Sequence, residues 1–157
     1  MSPKVFLTGA NGFVASHVLS GLVGRDYQVV ASVRSEQKAQ EVLNLHPSWK
    51  SNVSFIYIPD VAAHDAFNKV FENQESGFDY VIHTASPVNF SVKDLQTELI
   101  DPANHQPHLG GNSIKRFVLL GSAVAVLNSF EDLSRAGKDY TEEDWNPVSL
   151  NPSGSYE

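Results

Sequence analysis

The segment from Val5 to Val23 constrains the fold of this chain more than any other. Val5 to Thr8 is a short apolar run, Gly9 and Gly12 punctuate the next positions, and Phe13 to Val23 sets Val14, Val18, Leu19 and Leu22 at helical spacing. A strand, a tight glycine turn and a helix in immediate succession open an α/β unit. Glycines at such a turn let the backbone approach a ligand, while the first N–H groups of the helix, lacking intrahelical acceptors, point at it. The pattern is G-x-x-G-x-x-A, with Ala15 in the third small position, where helix and strand pack closely. Taken alone, two glycines after a strand more often serve an ordinary tight turn than a pyrophosphate.

The rest of the chain repeats the alternation. Gln28 to Val33 is a β-branched run ending at Arg34, and Ser35 to Leu45 comes next as a polar helix with Ser35 as its cap. Val53 to Ile58 reads as a third strand, Ala62 to Asn73 as a helix, Tyr80 to Thr84 as a fourth strand and Phe117 to Leu120 as a fifth. Strands alternating with helices predict an α/β protein built on a parallel, doubly wound sheet. Two stretches depart from this rhythm. Asp94 to Ile100 begins a helix, but Pro102, Pro107 and Gly110-Gly111 interrupt its continuation. An interior proline costs a helix ~3 kcal/mol, so the crossover to the fifth strand is expected to run as loop. Asn151 to Glu157 is turn-like.

Composition narrows the function. With 41% of its 157 residues apolar, the chain can bury the core of one ordinary globular domain. Its apolar runs fall far short of the ~20 residues of a membrane span, and Met1 to Lys4 leaves no room for an apolar signal core, so a cytoplasmic location is expected. Cysteine is absent, which removes disulfides, thiolate metal sites and cysteine nucleophiles. Eleven basic residues against eighteen acidic ones, a net charge of −7, argue against a broad nucleic-acid surface but permit a local anion pocket. The expected partner is a small molecule, with no nucleic acid and no membrane.

The end of the second strand bears on cofactor choice. NAD sites place an acid there for the ribose 2′-hydroxyl, whereas NADP sites place a cation for the 2′-phosphate. This chain has Arg34, and Lys38 lies one helical turn further on, so both cations could face one phosphate. Thr84, Ala85 and Ser86 end the fourth strand at the carboxyl edge, where ligands bind in such folds. His83 reads as a packed strand residue.

The run TGANGFVASH resembles the nucleotide-binding signature of extended short-chain dehydrogenases/reductases, of the NAD-dependent epimerase/dehydratase superfamily. It is most similar to fungal ketone and aldehyde reductases related to dihydroflavonol and methylglyoxal reductases. The similarity continues through VRS, IPDV, VIHTASPV, RFVLLGSAVAVLN, YTEEDWNPVS and GSYE in family order. It implies a Rossmann-type domain over residues 1–157 that binds NADP(H) through Gly9, Asn11, Gly12, Phe13, Val14, Arg34, Lys38, Asp60, Val61, Thr84 and Ala85. Asp60 and Val61 would meet the adenine ring.

The resemblance also implies an oxidoreductase, the NADPH-dependent reduction of a ketone or aldehyde, with a small-molecule carbonyl or alcohol as substrate. Ser122 takes the place of the serine that polarises the carbonyl, with Leu120 and Gly121 replacing two polar residues before it. Tyr156 takes the place of the tyrosine in the family's Tyr-x-x-x-Lys motif. The lysine would fall beyond Glu157, as would the C-terminal lobe that forms most of the substrate pocket. The chain is therefore expected to be a truncated or mis-spliced form of such a reductase, with one crossover helix shortened. A noncatalytic NADP(H)-binding module and an inactive fragment stand as alternatives.

Two minor features remain. His105 and His108 are three apart, but Pro107 lies between them and no third ligand is near, so no metal site is expected. Thr141 to Asp144 reads as a cap or turn before Trp145.

Overall fold

The computed structural model describes residues 2–61, 63, 65–72, 77–85, 114–122, 141, 143 and 144. The chain divides into two compact units, Met1–Leu119 and Leu120–Glu157. In the first unit the described elements run β1 (Lys4–Leu7), α1 (Phe13–Val23), β2 (Gln28–Val33), α2 (Glu36–Leu45), β3 (Val53–Tyr57), α3 (Asn68–Glu72), β4 (Tyr80–His83) and β5 (Arg116–Leu119). The strands form one parallel sheet in the order β3-β2-β1-β4-β5. Val5 of β1 lies opposite Val29 of β2 on one side and Tyr80 of β4 on the other. This is the doubly wound, Rossmann-type arrangement, and the chain reverses its direction of travel across the sheet between β1 and β4.

Around β1, β2 and β4 both faces of the sheet are covered because these strands are apolar on both faces, whereas β5 is exposed along its length, with Phe117, Val118 and Leu119 open to solvent. Leu7, Val29, Ala31 and Val33 point to one side and pack with Ala15 and Leu19 of α1 and Ala39 and Val42 of α2. Successive strand residues face opposite ways, so Phe6, Val30 and Val81 belong to the other side, with Phe67, Val70 and Phe78. There Phe6 meets Phe67 and Phe71 edge-on, with ring centroids 6.0 and 5.7 Å apart. Ala15 is fully buried between helix and sheet, as its small size suggested.

The expected elements recur with small shifts at their ends, and two differences have local causes. Among the described residues, the helix expected over Ala62 to Asn73 is an α-helix at Asn68–Glu72 alone. Ahead of it the amides of Ala66 and Asn68 donate to the carbonyls of Ala63 and Asp65, three residues back, which is turn geometry. A short 3-10 helix at Pro47–Ser51 was not anticipated. Pro47 starts it, and Trp49 is buried and stacked on His46 with centroids 3.8 Å apart.

In the second unit the amide and hydroxyl of Thr141 donate to Asp144 Oδ2 at 2.9 and 3.2 Å, and the Asp144 amide donates to the Thr141 carbonyl. That is the expected turn. Ser86, the stretch from Asp94 to Ile100, His105, His108, Tyr156 and the rest of 151–157 lie outside the described residues.

Candidate functional site

The carboxyl ends of β1, β2, β3 and β4 open onto one cavity of about 420 Å³. Of the expected contacts, Gly9, Asn11, Gly12, Arg34, Lys38, Val61, Thr84 and Ala85 line it, joined by Ser32, Val33, Ser35 and Ile58. Residues up to 76 positions apart in sequence are thus gathered at the sheet's switch point. Phe13 and Val14 are not in the lining: they form the first turn of α1, and their side chains are exposed. Asp60 is exposed beside Val61 and likewise outside the lining. Ser122 is exposed and belongs to the second unit.

The glycine wall depends on the absence of side chains. Gly9 has φ of +71°, a left-handed conformation costly for other residues, and a Cβ there would lie 3.2 Å from the Cα of Ala85. The Gly12 amide closes the turn onto the Gly9 carbonyl at 2.8 Å, and a Cβ on Gly12 would lie 3.1 Å from that oxygen. Gly12 is also the N-cap of α1 and supplies no side-chain acceptor to the helix's first turn. The amides at that end are therefore left for an anion.

Two buried hydroxyls hold this wall in place, and neither was singled out from sequence. The Ser32 hydroxyl accepts the Gly9 amide at 3.3 Å, while its carbonyl accepts the Ala10 amide at 3.0 Å. Thr8 Oγ1 accepts the amides of Thr84 and Ala85, both at 3.0 Å, and lies 3.1 Å from His83 Nδ1. The Thr84 hydroxyl in turn donates to the Thr8 carbonyl. A hydroxyl has two lone pairs and one proton. With both lone pairs taken by amides, the Thr8 proton goes to His83 Nδ1, so His83 is neutral and carries its own proton on Nε2. Burial pushes its pKa below the ordinary histidine value, against an opposing backbone hydrogen bond with Ala85. His83 is thus a packed strand residue, as expected. The available signal for Thr8 and Ser32 was a polar residue inside an otherwise apolar strand run, which burial obliges to find partners.

The opposite wall is charged and exposed. Arg34 comes directly after β2 and has no hydrogen bond or ion pair among the described residues. Ser35 caps α2 by accepting the Lys38 amide at 3.4 Å, which starts the helix so that Lys38 faces the cavity. Lys38 Nζ is 2.7 Å from Glu41 Oε2. A glycine cradle with free amides on one side and two cations on the other suits an elongated phosphorylated ligand. Among the described residues no three His, Asp or Glu side chains gather to hold a metal, and no helix is long and apolar enough to cross a membrane.

Comparison with known proteins agrees with this geometry. The model of the NAD dependent epimerase/dehydratase family matches residues 5–149. An NADPH-dependent methylglyoxal reductase of Saccharomyces cerevisiae is 34% identical over 155 residues, covering 92% of this chain and 44% of that enzyme. The anthocyanidin reductase of Arabidopsis thaliana is 29% identical, covering 94% of this chain and 43% of its own length. The crystal structure of Gre2 from Candida albicans in complex with NADPH superposes with a TM-score of 0.78 at 31% identity, over 96% of this chain and 47% of that one. The chain spans less than half the length of these relatives.

Proposed function

The chain belongs to the NAD dependent epimerase/dehydratase family, and from that premise we propose that it is the NADP(H)-binding part, residues 1–157, of a cytoplasmic reductase acting on a small ketone or aldehyde. The observation that carries the reading is the pairing of the glycine cradle with Arg34 and Lys38 around one cavity. Gly9, Asn11 and Gly12, with the backbone amides of Phe13 and Val14, receive the pyrophosphate. Arg34 and Lys38 receive the 2′-phosphate. Asp60 and Val61 border the adenine, and Thr84 and Ala85 carry the strand end along the rest of the cofactor. A Cβ at Gly9 or Gly12 would crowd Ala85 or the Gly9 carbonyl, so the turn is built from bare backbone, which supports its reading as the pyrophosphate cradle.

When bound, the cofactor supplies hydride to the carbonyl carbon. Ser122 hydrogen-bonds the carbonyl oxygen as charge gathers on it, and Tyr156 gives that oxygen its proton, yielding the alcohol. A tyrosine with its ordinary pKa of about 10 is a weak relay near neutrality, so a neighbouring cation is required to lower it. The likeness to a methylglyoxal reductase supports a small carbonyl compound as the substrate.

The test is an assay of NADPH oxidation against methylglyoxal and a panel of ketones and aldehydes, with the alcohol product quantified. The expected result is product formed mole for mole with NADPH consumed, and a drop of about a hundredfold in kcat on Ser122→Ala. NADPH binding with no turnover of any carbonyl would leave a binding module and remove the catalytic roles of Ser122 and Tyr156.

A further inference from the structure

Arg34 and Lys38 look equivalent in sequence, but the structure makes them different. Arg34 has no partner among the described residues. Lys38 already holds a carboxylate: its Nζ lies 2.7 Å from Glu41 Oε2, with both side chains 44% exposed. Glu41 is fixed from a second side, since Gln37 Nε2 donates to its Oε1 at 3.1 Å. The three residues lie within about one turn of α2, so the carboxylate is held next to the cavity wall by local geometry and not by chance side-chain reach.

Resting on the 2′-phosphate reading of this wall, we propose that Glu41 is a specificity-determining residue that weakens the chain's selection of 2′-phosphorylated adenine nucleotides over those with a free 2′-hydroxyl. An ammonium has three N–H donors, and Glu41 occupies one of them. A phosphate arriving at Lys38 must share the ammonium with a carboxylate and lie close to a like charge. A ligand with a plain 2′-hydroxyl brings no such charge and is indifferent to Glu41. The carboxyl is held below its ordinary range chiefly by the hydrogen bond from Lys38, so it is anionic at neutral pH. Because the pair is partly exposed, water and salt screen it, and its influence is a bias on affinity and not a gate.

The test is calorimetric titration of the wild type and Glu41→Gln with 2′,5′-ADP and with 5′-AMP at low salt. The expected result is a gain of about two- to fivefold in 2′,5′-ADP affinity, no change for 5′-AMP, and loss of the gain at high salt. A purely structural role for Glu41 would move both ligands together, and 5′-AMP also reports that the pocket is folded. Unchanged or weaker 2′,5′-ADP binding in Glu41→Gln would overturn the inference, since Glu41 would then serve only to orient Lys38. A wild type that binds the two nucleotides equally would overturn the phosphate reading of Arg34 and Lys38, and the inference with it.

Discussion

The turn after β1 and the turn after β2 face the same cavity, yet they are held in opposite ways. The first is made of backbone, packed against the end of β4 and fastened by the buried hydroxyls of Thr8 and Ser32. The second presents long charged side chains, Arg34 exposed and Lys38 paired, among the described residues, with its helix neighbour Glu41. The contrast teaches a division of labour. Shape at the cradle is bound up with the stability of the sheet, so altering it disturbs the fold and every nucleotide alike. Charge at the rim is nearly independent of the fold, so it can select among cofactors at little structural cost.

The largest expected effect breaks the first wall. Thr8→Val keeps the shape of the side chain but leaves the half-buried amides of Thr84 and Ala85 without their acceptor. The expected loss of unfolding free energy is about 3 kcal/mol, read from the urea midpoint, with NADPH and NADH binding weakened together. A loss confined to one cofactor would break the proposed division between the walls.

A smaller effect arises from His83. Its folded pKa lies below the unfolded one, so the unfolded chain takes up a proton first as pH falls. Stability is therefore full above the ordinary histidine value of about 6.5 and declines as pH drops from there toward the folded pKa. Urea unfolding across pH 7.5 to 5 should show this decline, and His83→Gln should flatten it. At the other wall, Arg34→Asp should shift stability by no more than about 0.5 kcal/mol, because the side chain is exposed and unpartnered among the described residues.

The same contrast explains what could be read from the sequence. β1, α1, β2 and α2 were legible nearly to the residue, because apolar spacing, the Gly9–Gly12 turn and the Ser35 cap are local signals. Arg34 and Lys38 could be placed on one wall because the strand end and one helical turn fix their separation. The roles of Thr8 and Ser32 were not legible. Their partners, Thr84 and Ala85 for one and Gly9 for the other, are brought close only by strand pairing across the sheet. The pairing of Lys38 with Glu41 was available from their spacing on α2, but side-chain geometry was needed to show which neighbour the ammonium takes. In α3 the expected helix shortened because turn hydrogen bonds at Ala63 and Asp65 precede it, a choice that apolar periodicity does not encode.

The central claim, that this pocket receives NADPH and that Arg34 recognises its 2′-phosphate, is tested most directly by titrating the wild type and Arg34→Asp with NADPH and NADH under identical salt. The account predicts that the wild type binds NADPH tighter by about tenfold or more, the worth of one charge-assisted contact. It predicts that Arg34→Asp loses or reverses that preference with its unfolding midpoint nearly unchanged. A folded Arg34→Asp variant that still prefers NADPH to the wild-type extent would contradict it.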